Sequence, residues 1–543
     1  LMGHSMGAVM ARRILLEASG LDKHWHGSEN VGEPGSDNAL CVEPEFAQTK
    51  RYKWVNRVSR LVLLAGMSRG WSIDNAKGGL QQFYWTLGSF IGHAMPGAKP
   101  TIFDIRKGCP FIVQTRLRWL DYVRSSGKKP QVVQLLGTVD QMVSPNDSVD
   151  YADISHSDQF ILAEVPHTGH ADVVKLRPGR GVYQTQEICQ LRRDIIHAAM
   201  TGDQKLLSEY AIPRDYLDDE LPLAPDPEVE DVLFVIHGIR DKGYWTKKIA
   251  ARVKAVASGL GKRFVSRTPS YGYFPILPFL LPWHRRKKVE WLMDQYVESR
   301  TSYPDADFHY MGHSNGTYLC ARALLDYPAV SFRRIMFAGS VVRPDYPWKQ
   351  LVNGGRVDKI YNAVATKDVV VALFPHGLRW FKGFFDLGGA GHQGFHEKGL
   401  DYALFQLDYP SGSDSARKYV IGGHSSAKQE SQWDEIADFI VKAKNPPAQN
   451  DDFASRQPWW SRLLGWAAPG IVLMIGAFLL MLFVFLLAPI VYKLIPGILI
   501  RVLPNMPDAM YPYWSVWINL SAIIHVFWMS VYVFVLRFIM LRF

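Results

Sequence analysis

The chain has 543 residues, more than one hydrophobic core organises, so at least two domains are expected. Its four cysteines, Cys41, Cys109, Cys189 and Cys320, share no CxxC or Cys/His spacing, which argues against a zinc site or a disulfide framework and fits a reducing compartment. The net charge of +10 is not gathered into a basic stripe with interleaved aromatics, so no nucleic-acid partner is expected; the charge reads as solvated surface plus attraction to an anionic membrane.

The chain opens on Gly3-His4-Ser5-Met6-Gly7, followed by Ala8 to Leu16 in helical register. The same pattern returns at Gly312-His313-Ser314-Asn315-Gly316, between an apolar segment, Phe308 to Met311, and a second helix-patterned run. Chance supplies roughly 0.2 matches to G-x-S-x-G in a chain this long, and here two occur, each with His before Ser. A serine on a tight turn from strand to helix is lifted off the sheet edge. Glycines flank it because a Cβ would strike the neighbouring strand and helix. The N–H groups opening the helix face the site, where they can stabilise a developing oxyanion.

These two segments resemble the nucleophile elbow of the α/β-hydrolase superfamily, and the resemblance extends over residues 1 to about 445. It implies an α/β fold class: two α/β-hydrolase-type domains, each with a triad in the order Ser, Asp, His, ahead of a membrane anchor. The expected divisions are a partial hydrolase domain with an inserted cap (1–205), a linker (206–230), a second hydrolase domain (231–445) and an anchor (446–543). Such a domain needs strands ahead of its nucleophile, and only Leu1 and Met2 precede the first elbow. The expectation is therefore that an N-terminal portion is missing, and that Ser5 reacts poorly compared with Ser314.

In chain order, residues 20 to 52 are polar and read as an excursion loop, and Arg60 to Gly66 as a buried strand. Residues 68 to 128, rich in aromatics, suggest a cap. A strand at Gln131 to Leu136 leads to Asp140, where the resemblance places the triad acid. Another at Phe160 to Val165 leads to His170, the matching histidine, with His167 as the alternate. Residues 183 to 200 pattern as an amphipathic helix, and 213 to 231 have the acidic, proline-rich composition of a linker.

The second domain begins with an apolar strand running from Asp231 into His237-Gly238. The resemblance puts oxyanion N–H groups in that turn, beside those of the residue after each nucleophile, Met6 and Asn315. A helix at Thr246 to Ala257 and a strand at Arg263 to Ser266 follow. The run Tyr271 to Trp283 is too short to span a bilayer. With Arg285, Arg286, Lys287 and Lys288 behind it, it suits a lid resting on anionic lipid or a cap packed over the second site. Strands are expected at Arg334 to Ala338, Lys359 to Ala365 and Arg417 to Ile421, and a closing helix at Ser431 to Val441. Asp368 matches the acid and His424 the histidine, with His392 as the alternate.

Leu463 to Leu487 and Val516 to Leu536 are each long and apolar enough to cross a hydrocarbon core of about 30 Å. Trp459, Trp460, Tyr511, Tyr513 and Trp514 stand at their ends as interface anchors. Asn519 and His525 suit helix packing. Arg456, Arg462, Arg537 and Arg542 outside this hairpin, against Lys493 and Arg501 within it, favour a cytoplasmic location for the hydrolase domains. The expected protein is a membrane-anchored serine hydrolase of ester bonds, on a lipid-like or acyl substrate, without metal or cofactor. Amide or thioester cleavage by the same groups, or an inactive scaffold, are the alternatives.

Overall fold

The computed structural model describes residues 1–20, 51–72, 104–156, 159–181, 183–212, 224–239, 243–366, 368, 370–373, 386–408, 424, 430–446, 457, 459–474 and 476–478. Two parallel sheets organise them. The first holds β1 (Met2–His4), β2 (Arg60–Leu64), β3 (Gln131–Gly137) and β4 (Phe160–Val165) in that spatial order. The second is ordered β10-β9-β8-β7-β5-β6. It is built from β5 (Asp231–Ile236), β6 (Phe264–Arg267), β7 (Asp307–His313), β8 (Arg334–Ala338), β9 (Lys359–Val364) and β10 (Leu404–Asp408).

The strands are short continuous apolar runs because both faces of each sheet are covered. In β2, Leu61 and Leu63 pack with α1 (Met6–Ser19) and α2 (Pro110–Arg124), while Val62 and Leu64 pack with α3 (Gln186–Thr201) on the opposite face. In β5, Val232, Phe234 and Ile236 enter one core, and Leu233 and Val235 enter the other. The second of these cores is closed by α4 (Tyr244–Gly259) and, at the end of the domain, α9 (Trp433–Lys442). Strands β7 to β10 run side by side and parallel, so their C-terminal ends lie at one edge of the sheet. The same holds for β1 to β4 in the first sheet.

The cover of the second sheet is α5 (Ile276–Leu280) and α6 (Pro282–Ser302), ahead of α7 (Asn315–Asp326). Within the basic cluster Arg285 is turned inward, away from any lipid headgroup. Arg285 is fully buried, donating to the Phe279 carbonyl at 2.6 Å and to Asp386 at 2.7 Å. Lys288 donates to the Tyr271 carbonyl at 3.1 Å. Of the four cations, Lys287 alone is exposed.

The halves are joined through α2 and α6. Val113 and Leu117 of α2 lie in the core of the second half. Buried Asp294 of α6 accepts ion pairs from Arg69 at 3.1 Å, Lys107 at 3.2 Å and Arg116 at 2.7 Å. Arg69 also pairs with Glu298, and Arg116 with Asp150, which in turn binds Arg12 at 3.2 Å. At Gly108, with φ of +77°, a Cβ would lie 1.9 Å from the Glu290 carbonyl oxygen, so the backbones themselves meet here.

The expected strand 417–421 lies outside the described residues; among the described residues this edge of the sheet is β10. The helix α10 (Trp459–Phe478) is long and apolar enough to cross a membrane. The remainder of the first apolar run, and all of Val516 to Leu536, lie outside the described residues.

Candidate active sites

Both elbows adopt one backbone geometry. Ser5 has φ 54° and ψ −122°, and Ser314 has φ 53° and ψ −118°, a region that costs a non-glycine residue of order 1–3 kcal/mol. Each serine N–H is held by the end of the neighbouring strand, Ser5 by the Leu64 carbonyl at 2.9 Å and Ser314 by that of Ala338 at 3.0 Å. The glycines permit the tight passage from strand to helix. A Cβ on Gly3 would stand 2.2 Å from the Gly7 carbonyl oxygen, and one on Gly312 would stand 2.8 Å from Gly316. On Gly316 it would meet the Ile236 carbonyl oxygen of β5 at 2.5 Å. At Gly7, among the described residues, nothing lies within 4 Å, because β1 forms the edge of its sheet.

In the first half the structure brings together Ser5, His170 and Asp140. His170 Nε2 is 2.9 Å from Ser5 Oγ, and His170 Nδ1 is 3.0 Å from Asp140 Oδ2. The other carboxylate oxygen accepts the N–H groups of Met142 at 2.8 Å and Val143 at 3.0 Å. Burial alone would push the Asp140 carboxyl up. The hydrogen bond from His170 and the two backbone N–H groups outweigh it and hold the group below its ordinary value. The acid is thus kept ionised and the imidazole is fixed with its proton on Nδ1, leaving Nε2 to accept from the serine. His167 is elsewhere, at φ 53°, stacked on Tyr183 with ring centroids 6.3 Å apart.

In the second half His424 Nδ1 lies 2.8 Å from Asp368 Oδ2, and Asp368 Oδ1 accepts from the Val371 N–H at 3.0 Å. Ser314 is buried beside them on its elbow. Among the described residues, no hydrogen bond joins Ser314 Oγ to His424, so the relay is closed in the first half and open by one link in the second. Gly339, at φ +55°, passes so close to His424 that a Cβ would lie 3.0 Å from its Nδ1.

The turn after β5 stands against the second nucleophile, since a Cβ on Gly238 would be 2.8 Å from Ser314 Cβ. His237 fixes this turn. Its Nδ1 is 2.9 Å from the Gly238 carbonyl and its Nε2 is 2.9 Å from Ser270 Oγ. Tyr271 went unrecognised in the sequence as a site residue. Its ring stacks on His237 at 4.3 Å, its hydroxyl donates to the His237 carbonyl at 2.9 Å, and Asn315 Nδ2 donates to that hydroxyl at 3.1 Å. Only its place in an aromatic run could have drawn attention to it. Met6, the counterpart of Asn315, follows Ser5 with its side chain exposed.

The alternate histidine His392 sits in α8 (Ala390–Gln393), buried and bonded to Ser461 at 2.8 Å. Among the described residues no group of His, Cys, Asp and Glu is arranged to hold a metal ion. No family model matches the chain, and no curated protein matches it.

Proposed function

We propose that the chain is a membrane-anchored serine hydrolase with two Ser-His-Asp sites that cleave ester bonds through an acyl-enzyme. The observation that carries this reading is His170, within hydrogen-bond distance of both Ser5 Oγ and Asp140 Oδ2. Asp368 and His424 repeat the acid–imidazole pair beside Ser314.

In either site the serine Oγ attacks the ester carbonyl carbon while the imidazole Nε2 takes the hydroxyl proton. The carbonyl oxygen becomes an oxyanion. At Ser314 it would be received by the N–H of Asn315 and by the turn carrying His237 and Gly238, each donor worth ~3 kcal/mol. Collapse breaks the bond to the alkoxide, which leaves with the proton carried by the imidazole. Water then attacks the acyl-enzyme by the same route, restoring the serine and releasing the acid. The carboxylate of Asp140 or Asp368 holds the imidazole in the productive tautomer throughout.

The aromatic cover over the second site, with Tyr271, Phe274 and Phe279 buried beneath α6, favours a substrate with an apolar acyl portion. Anchoring rests on α10, by its length and composition. A fluorophosphonate probe tests the reading. It should label the unaltered protein and fail to label the Ser5→Ala/Ser314→Ala double variant. An unlabelled, folded protein would leave an inactive scaffold as the answer. Rates on short-chain and long-chain esters, with Ser314 as the remaining nucleophile, test the apolar substrate.

A further inference from the structure

The second site is connected to the helix that carries the membrane anchor by a chain of buried polar contacts. Gln457 Nε2 lies 3.2 Å from His392 Nδ1, so the amide donates and the imidazole accepts. His392 then carries its proton on Nε2, 2.8 Å from Ser461 Oγ. The Ser461 hydroxyl in turn donates to the Thr366 carbonyl at 2.9 Å. Thr366 ends the run out of β9, and Asp368, which holds His424, follows two residues later.

The seat of this relay is α8, wedged between the two loops that shape the site. The Ala365 N–H donates to the Gly391 carbonyl at 2.7 Å, and the Gly391 N–H donates to the Ser340 carbonyl at 2.8 Å. The fit admits no side chain at Gly391, where a Cβ would lie 2.2 Å from the Ser340 nitrogen. Gly339, next to Ser340, is the residue packed against the His424 ring. His392 is therefore gripped by the anchor helix on one side and fixed by its own helix to both the acid loop and the histidine's neighbour on the other. His392, Ser461 and Thr366 are each almost fully buried, so these bonds face little competition from water.

We propose that His392 and Ser461 are positioning residues for the second site, coupling the seating of the membrane helix to the placement of Asp368 against His424. This rests on the hydrolase reading of that site. With the helix seated, the Thr366 carbonyl is tied down and the acid loop is fixed. With it displaced, the carbonyl loses the Ser461 hydroxyl and the acid loop is held less firmly. Hydrolysis at Ser314 is thereby linked to the anchor being in place.

The test uses the full chain in lipid nanodiscs with Ser5→Ala, so that Ser314 is the sole nucleophile. The variants are Ser461→Ala, His392→Ala and Ser461→Thr. Hydrogen exchange over residues 359–373 reads the contact without reference to activity, and steady-state ester hydrolysis reads the coupling. Ser461→Ala and His392→Ala should raise exchange in that segment and lower kcat about tenfold with KM little changed, as expected when a catalytic group is misplaced rather than removed. Ser461→Thr, which keeps the hydroxyl, should restore both.

Unchanged exchange in both Ala variants would overturn the contact. Raised exchange with unaltered kcat, or a loss of kcat that Thr does not rescue, would overturn the positioning role. Failure of the Ser5→Ala parent to label at Ser314 or hydrolyse any ester would defeat the hydrolase reading and the positioning role with it. The exchange result would still report the contact, which separates the two failures.

Discussion

His313 Nε2 lies 3.0 Å from the carbonyl oxygen of His424, and His4 Nε2 lies 2.9 Å from that of His170. Each elbow therefore holds the backbone of the histidine paired with its own acid through the residue just ahead of the serine. The repetition explains why both elbows read Gly-His-Ser. A bond of this kind contributes about 1 kcal/mol net, more when the abandoned carbonyl stays buried. His313→Ala should slow probe labelling at Ser314 about tenfold and leave Ser5 untouched, and His4→Ala should do the converse. Equal slowing of both serines by either change would mean a global effect and sink the idea.

Glycine replacements should separate the two elbows sterically. Gly316→Ala drives a methyl against the β5 backbone and should destabilise the second half by 1–3 kcal/mol and abolish labelling at Ser314. Gly7→Ala meets nothing within 4 Å among the described residues and should change stability by less than ~0.5 kcal/mol. Chemical denaturation of each variant gives the comparison, and a large loss from Gly7→Ala would contradict it.

The two strand-to-helix turns, and the places of Asp140 after β3, His170 after β4 and Asp368 after β9, were legible because strand ends leave a mark in sequence. β10 was not legible. Its Leu-Phe-Gln-Leu-Asp run carries a polar residue at a buried position, and Gln406 is tolerated there because it bonds both the N–H and the carbonyl of Phe395, at 2.7 and 3.0 Å. The burial of Arg285 was hidden for a similar reason, since its partner Asp386 lies far along the chain. Sequence composition records how many charges a segment has, not which of them meet.

The pH dependence of stability should show the buried charges. Burial pushes the Asp153 carboxyl up to about 6, against the pull of Arg12 and with neighbouring Asp150 adding to the rise. The unfolded value is about 3.9, so the folded state holds the extra proton between roughly pH 4 and 6. Stability from this group thus falls as pH rises through that window and stays lower above it. Asp153→Asn cannot ionise yet still accepts from Trp119 Nε1, which bonds Asp153 at 2.6 Å. Thermal midpoints at pH 4.5 and 7 should therefore differ less favourably to acid in the variant. Identical differences in both proteins would refute the assignment.

Asp294 should be the costliest single carboxylate to remove. Asp294→Ala leaves Arg69, Lys107 and Arg116 converging on an apolar methyl, a loss of about 3–5 kcal/mol. Because those cations belong to the first half and Asp294 to the second, labelling at Ser5 and at Ser314 should fail at the same, lowered temperature. Loss at Ser314 with Ser5 intact would show that the halves melt separately.

The contacts between the halves have a consequence for how such a gene can change. Two units strung on a flexible tether can be shuffled, swapped or lost one at a time. Here α2 lends Val113 and Leu117 to the neighbouring core, and the Gly108 backbone lies against Glu290 with no room for a methyl between them. A break in the connecting stretch should leave one particle rather than two, and the two coding halves, supplied on separate messages, should have to find each other to be soluble.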